Sequence, residues 1–188
     1  MGSLTQKQKS LIIGTILCDG YLRIIPRRKN AFLEVNHSIN QKSYVNWKYQ
    51  ILSSIVKSEP KERKGNGFRI ACRFYTKCLP EITELFNRFY VNRKKIIPDD
   101  LTIDNFSLAI WFMDDGSKCG NSIYLNTQQF SFKEQKKLQK LLLNQFGIKS
   151  GLNKDKIYNR IRILKEDSVK FCNLIRKFVP ESMKYKLV

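Results

Sequence analysis

Two short stretches constrain this chain more than any others. Ile16-Leu17-Cys18-Asp19-Gly20 and Leu108-Ala109-Ile110-Trp111-Phe112-Met113-Asp114-Asp115-Gly116 each end an apolar helical run on an Asp-Gly pair. A helix C-terminus carries unpaired carbonyls and partial negative charge, so a carboxylate there is locally unfavourable. One copy reads as a plain helix stop with glycine in the left-handed position. Two copies, each followed by strand-like sequence, read as paired carboxylates that a cation would neutralise. Asp19 and Asp115 are therefore the candidate metal-binding residues.

The rest of the composition narrows the partner. With 188 residues there is room for one domain, or for two small halves sharing a core. A hydrophobic content of 42% indicates a globular chain. The formal charge of +19 is spread over both halves, which points to a long polyanion, hence nucleic acid. A membrane surface is the competing partner, but there is no lipidation signal and no basic helix standing apart. The apolar runs are far too short to span a bilayer, and the polar start MGSLTQKQKS does not read as a secretory leader. Five cysteines without paired spacing suggest free thiols in a reducing, intracellular compartment. The single histidine, His37, excludes histidine clusters and reads as a hairpin or DNA-facing residue. Heavy use of Lys, Ile and Asn hints at an AT-rich, organellar genome, mitochondrial or chloroplast.

Periodicity sets the order of elements. Residues 5–18 read as a helix with Leu11, Ile12, Thr15, Ile16 and Cys18 on one side and Gly14 allowing a close backbone approach. Residues 21–25 and 31–38 read as strands around a basic tip, Pro26-Arg27-Arg28-Lys29-Asn30. A helix over 41–56 carries Tyr44, Trp47, Ile51 and Ile55 at helical spacing. A second hairpin turns at Lys64-Gly65-Asn66-Gly67 and runs to Tyr75, and a helix over 79–90 has Pro80 in its first turn. The order then repeats. Ser107 is the expected cap of the helix 108–114, and 121–128 is a strand of a third hairpin. Ser131 and Glu134 form a capping box for a helix closed by Gly147. Strands over 149–153 and 158–164 precede a last helix, to Phe178, with Asp167 as cap. The repeat predicts an N-terminal half over 1–95, a linker over 96–106 and a C-terminal half over 107–188. Each half also carries a lysine well downstream of its Asp-Gly pair, Lys95 and Lys186.

This pattern resembles the LAGLIDADG homing endonucleases in their single-chain, two-motif, intron-encoded form. Residues 12–20 and 108–116 stand where the family nonapeptide would, and the WFMDDG, LNTQ-x-F and KKxIP runs are similar to intron-encoded members. The resemblance implies an α+β fold: two pseudo-symmetric αββαββα halves, whose antiparallel sheets form a DNA-binding saddle around a central two-helix interface. It implies that Asp19 and Asp115 bind Mg²⁺, two or more ions being shared between them, with Lys95 and Lys186 as flanking catalytic residues. Two departures stand out: Cys18 occupies the place that Asp114 holds in the second motif, and bulky Trp111, Phe112 and Met113 replace smaller residues. Asp114, about 100° round the helix from Asp115, is expected to be hydrogen-bonded rather than metal-binding.

Oxygen-ligated Mg²⁺ pairs can activate water and stabilise both oxygens of a phosphodiester displacement. The implied activity is thus a monomeric, sequence-specific double-strand DNA endonuclease that promotes intron mobility. An RNA maturase, with intron RNA as partner, is the alternative, and a DNA-binding remnant without catalysis is a third reading. In the implied saddle, alternate side chains along the strands read bases. The candidates are Arg23, Arg28, Asn30, Glu34, Asn36, Ser38, Arg69 and Arg73 from the first half. Tyr124, Asn126, Gln128, Lys154, Asn159, Arg160 and Arg162 come from the second.

Overall fold

The computed structural model describes residues 4–65, 67–120 and 122–187. Thr5 opens the first helix with a reciprocal cap: its hydroxyl accepts from the Gln8 N–H, and the Gln8 side chain accepts from the Thr5 N–H. From there α1 (Gln6–Ile16) leads into β1 (Tyr21–Ile24) and β2 (Ala31–Ser38), then α2 (Lys42–Leu52), β3 (Lys61–Lys64), β4 (Ile70–Tyr75) and α3 (Pro80–Phe89). A short ribbon, β5 (Tyr90–Val91) and β6 (Lys94–Lys95), follows. The first order then recurs as α4 (Asn105–Asp115), β7 (Gly116–Cys119), β8 (Ser122–Leu125), α5 (Phe132–Phe146), β9 (Ser150–Asp155), β10 (Tyr158–Ile163) and α6 (Ser168–Ile175). Both four-stranded sheets are antiparallel and share one topology, β1-β2-β4-β3 and β7-β8-β10-β9. The fold is the expected α+β arrangement of two sheet-bearing halves.

Helices α1 and α4 are buried almost all round, which places them at the centre rather than on a surface. They approach closely because Gly14 has no side chain: a Cβ there would sit 2.6 Å from both Ile110 Cβ and the Ser107 carbonyl. The seam is tied by Ser107 Oγ donating to the Ser10 carbonyl (3.0 Å) and Ser10 Oγ donating to Asp104 (2.7 Å). Trp111 and Phe112 are fully buried, and Phe112 packs edge-on against Phe171 of α6, centroids 5.5 Å apart. Leu22, Leu33, Val35 and Phe74 line the inner face of the first sheet, and Ile123, Leu125, Ile161 and Ile163 that of the second.

Local departures from the sequence expectations have physical causes. Asp104, not Ser107, caps α4; its carboxylate accepts from the Ser107 N–H at 2.7 Å. Asp167 stands at the start of α6, but its carboxylate accepts from the Lys149 N–H instead of capping the helix. The strand expected over 121–128 ends at Leu125, because buried Thr127 turns inward and its hydroxyl accepts from the Ile161 N–H. Helix α2 ends at Leu52 in a 3₁₀ turn, and its buried face includes Lys48. Neither motif glycine is left-handed. Gly116 is extended (φ −78°, ψ 153°) and is needed because a Cβ would meet Phe112 at 2.1 Å; at Gly20 a Cβ would meet the Thr15 carbonyl at 2.4 Å. Asn66 of the second hairpin turn and Asn121 at the expected strand start lie outside the described residues. Among the described residues, no helix is long and apolar enough to cross a membrane.

The central seam makes a direct prediction. Gly14→Ala should lower stability to urea by about 1–3 kcal/mol through overpacking, despite the roughly 1 kcal/mol that alanine gains in helix propensity. An unchanged or raised denaturation midpoint would mean that α1 and α4 are not in this contact.

Candidate active site

The close packing of α1 and α4 brings their C-terminal ends together. Asp19 lies just beyond the α1 cap residue Leu17 and is exposed, whereas Asp115 is the last residue of α4 and is partly buried. Both carboxylates line one cavity of about 320 Å³, with Thr15, His37 and Asp114 also in its wall. Burial, then the charge of Asp19, then that of Asp114 push the Asp115 carboxyl up to about 7. Desolvation is the largest of these causes, and Lys186 and Lys95 pull the carboxyl the other way.

Each motif helix end is met by a lysine. Lys95 is delivered by the ribbon β5–β6, which is anchored over β1 by a bond from the Leu22 N–H to the Tyr90 hydroxyl (3.2 Å). Its ammonium donates to the Cys18 carbonyl and to Gln129 Oε1 (3.3 Å), and Gln129 Nε2 also donates to the Cys18 carbonyl (2.9 Å). Lys186, in the 3₁₀ turn Glu181–Lys186, donates to the Met113 carbonyl (2.7 Å) and the Gly116 carbonyl (2.9 Å). Both lysines thus satisfy terminal carbonyls at the negative end of a helix dipole. Burial lowers both lysine pKa values, against the opposing pull of the nearby carboxylates. Asp19 also lines a second cavity, about 620 Å³, shared with Lys95 and Gln129. Gln129 is a functional candidate that sequence reasoning missed, although it sits inside the LNTQ-x-F run.

A second omission is larger. Asp114, whose side chain is 4% exposed, is 2.6 Å from Nζ of Lys48, a lysine with no exposed surface. Lys48 also donates to Thr15 Oγ1 (3.0 Å), and the Tyr44 hydroxyl donates to Asp114 Oδ1 (2.7 Å). Asp114 is hydrogen-bonded, and its oxygens are taken. The signal for Lys48 was its position four residues after Tyr44, on the helix side that Tyr44 buries. His37 does not face outward as a DNA contact: its ring is 3.7 Å from Asp114 Oδ1, and burial lowers it to about 4, so the imidazole is neutral at pH 7.

Strand register sorts the proposed reading residues. Arg23, Glu34, Asn36, Ser38 and Arg73 share the outward face of the first sheet, through the pairs Tyr21↔Glu34, Glu34↔Tyr75, Asn36↔Arg73 and Ser38↔Ala71, with Arg23 opposite Phe32. Glu34 is not free for a base; it lies 3.3 Å from Arg73 and 3.8 Å from Arg23. Arg28 and Asn30 sit at the hairpin tip, where Asn30 accepts from Thr83, and Arg69 sits in the loop before β4. In the second sheet Tyr124, Arg160 and Arg162 share the outward face, with the Arg160 guanidinium 4.0 Å over the Tyr124 ring. Lys154 and Asn159 pair with each other on the opposite face, one residue out of phase with those arginines. Asn126 and Gln128 lie beyond the end of β8. Asn126 has a buried, unpartnered Oδ1, and Gln128 donates to Asp155 at 2.9 Å.

Known proteins share this arrangement. A profile of the LAGLIDADG DNA endonuclease family matches residues 9–171. The chain is 33% identical to the probable intron-encoded endonuclease 1 of Wickerhamomyces canadensis, across 99% of this chain and 86% of that protein. It is 31% identical, across 72% of its length, to the cytochrome b mRNA maturase bI2 of Debaryomyces hansenii, of which it spans only 53%. The fold matches the homing endonuclease I-WcaI bound to its DNA recognition sequence with a TM-score of 0.92 and 32% identity, covering 100% of this chain and 88% of that one.

The Asp115 environment predicts a pH effect on stability without divalent ions. An unfolded aspartate releases its proton near pH 4, whereas folded Asp115 holds it to about 7. Between those values the folded state binds more protons, so the group's contribution to stability falls as pH rises through that window. Asp115→Asn removes the titration while keeping the shape. It should melt above the parent protein at pH 8, by about 2–4 °C for each kcal/mol relieved, with the gap closing towards pH 4. A gap independent of pH would contradict the assigned environment.

Proposed function

The chain belongs to the LAGLIDADG DNA endonuclease family, and from that premise we propose that it is a monomeric, Mg²⁺-dependent endonuclease that cuts both strands of a long asymmetric DNA site. The observation that carries this reading is the meeting of the C-terminal ends of α1 and α4, with Asp19 and Asp115 in one cavity, between two sheets with arginine-bearing outward faces. One chain supplies both carboxylates, so no second copy is needed to complete the site. The intron-encoded relative supports a role in intron mobility, and the five free cysteines support a reducing, organellar setting.

The donor set fits a hard divalent cation. Asp19, Asp115 and the helix-terminal carbonyls are all oxygens, no thiolate faces the cavity the carboxylates share, and the His37 imidazole in its wall lies 3.7 Å from Asp114 Oδ1. Among the described residues there is no cluster of three His, Cys, Asp or Glu side chains suited to a metal ion. That suits Mg²⁺, which is commonly held by one or two carboxylates with waters and substrate phosphates completing its shell. When bound, such ions would polarise the scissile phosphate and make a bound water more acidic.

The chain's own residues do the rest. Lys95 and Lys186 keep positive charge beside the reacting phosphates while fixing the two helix ends, and Gln129 holds Lys95 in place. Lys48 and Tyr44 occupy Asp114, which keeps that carboxylate from competing with Asp115 for a cation. Arg23, Arg73, Arg160 and Arg162, on the outward faces, would engage phosphates and base edges of the major groove. Similarity to a maturase favours one second reading, binding of intron RNA by the same basic surface.

The decisive experiment is cleavage selection from a randomised duplex library with Mg²⁺, beside Asp19→Asn and Asp115→Asn controls. One long consensus should be recovered, cut only by the parent protein. Each variant should bind that site within a few-fold of the parent while losing double-strand cleavage, and Lys186→Ala should slow cleavage more than it weakens binding. Full cleavage by either aspartate variant would remove the metal assignment. No cut species, together with salt-sensitive binding of structured intron RNA that survives Asp19→Asn, would establish the maturase instead.

A further inference from the structure

The two motif ends are built differently, and the difference lies beneath the carboxylates rather than between them. Beneath the first end is Cys18, a neutral side chain whose thiol donates to the Gly14 carbonyl (3.2 Å) and the Trp111 carbonyl (3.3 Å). Beneath the second is Asp114, a buried charge held by Lys48 at 2.6 Å and by Tyr44 at 2.7 Å, with Thr15 accepting from Lys48 at 3.0 Å. Every one of these partners comes from the N-terminal half, on α1 or α2. The first motif has no matching ion pair among the described residues.

We propose that the Lys48–Asp114 pair is a positioning device that serves one strand only. It fixes the last turn of α4, hence Asp115, and so sets the rate of one of the two strand cuts. The proposal rests on the endonuclease reading above. A buried ion pair is weak evidence for stability, because apolar replacements of both partners are often neutral or stabilising. What the pair does supply is geometry. Asp114 precedes Asp115 in the chain, and its carboxylate is pinned from the interior by two donors. Lys186 pins the same turn from the other side, through the carbonyls of Met113 and Gly116. Asp115 is thereby held between two clamps. Asp19 is supported differently: it lies past the end of its helix and is exposed, Lys95 and Gln129 hold the Cys18 carbonyl before it, and no ion pair fixes the uncharged Cys18 side chain. Partners that orient a metal-binding carboxylate typically change affinity or activity about 10–100-fold when lost.

The test uses the full-length protein, supercoiled plasmid carrying the selected target, and duplexes end-labelled on either strand. The double variant Lys48→Met/Asp114→Asn removes both charges together, so no buried charge is orphaned. One strand should be cut about 10–100-fold more slowly and the other within a few-fold of normal, so nicked circles accumulate. Affinity for target DNA should be unchanged. Calorimetric titration of Ca²⁺ into the complex with uncut duplex should show ion binding weakened by a similar factor. Tyr44→Phe, which removes one hydrogen bond, should slow the same strand to a smaller degree, and it stands as the test if the double variant does not fold. Equal slowing of both strands, or normal cutting with only a changed melting temperature, would show the pair to be merely structural. If the parent protein cuts no target, the endonuclease reading falls and this proposal with it; if the parent cuts and the variants show no strand bias, only this proposal falls.

Discussion

The structure depends on how closely α1 and α4 can approach. Gly14 against Ile110 and Ser107 sets that distance, and the serine and aspartate bonds around Ser10 and Asp104 tie the seam at the end away from the site. Close packing forces two negative helix ends and two carboxylates into one place. The resulting repulsion is visible in Asp115, pushed up to about 7 by burial and by Asp19 and Asp114. The lysines at the two helix ends relieve part of it. A cation between the two helix ends would relieve more of it.

The repeated topology carries this centre outward. Two sheets of identical strand order flank the helices, and their outward faces combine arginines with aromatic rings. Arg160 over Tyr124, Arg23 over Tyr21 and Arg73 over Tyr75 are held against their rings, which reduces the side-chain freedom of each guanidinium. Glu34 sits between two of these arginines and trims the local charge, so the face is basic without being uniformly so.

Much of this was legible in the sequence, and the remainder was hidden for specific reasons. The paired Asp-Gly endings, the repeat, the Thr5 and Ser131 starts and the Gly147 stop are local features, and local rules read them well. The lysines could be placed only by comparing the two halves, since a lysine's sequence context says little about what it reaches. Register was the main difficulty. Lys154 and Asn159 fall on the face opposite Arg160 and Arg162, because a strand's phase depends on its partner and no single strand reveals it. Lys48 was hidden because charge normally marks a solvated face, and only the tertiary arrival of Asp114 and Thr15 explains a buried ammonium. The plain helix-stop reading of the Asp-Gly pairs, set aside because there are two of them, does not describe their glycines, which are required by contact with Thr15 and Phe112 and not by backbone handedness.

The most direct test of the account is the position of divalent ions in a crystal of the protein with its target duplex, located by Mn²⁺ anomalous scattering. The account predicts ion density bounded by the carboxylates of Asp19 and Asp115 and the scissile phosphates, with Asp114 still bonded to Lys48 and Tyr44. Ions bound by Asp114, or density remote from the paired helix ends, would contradict it.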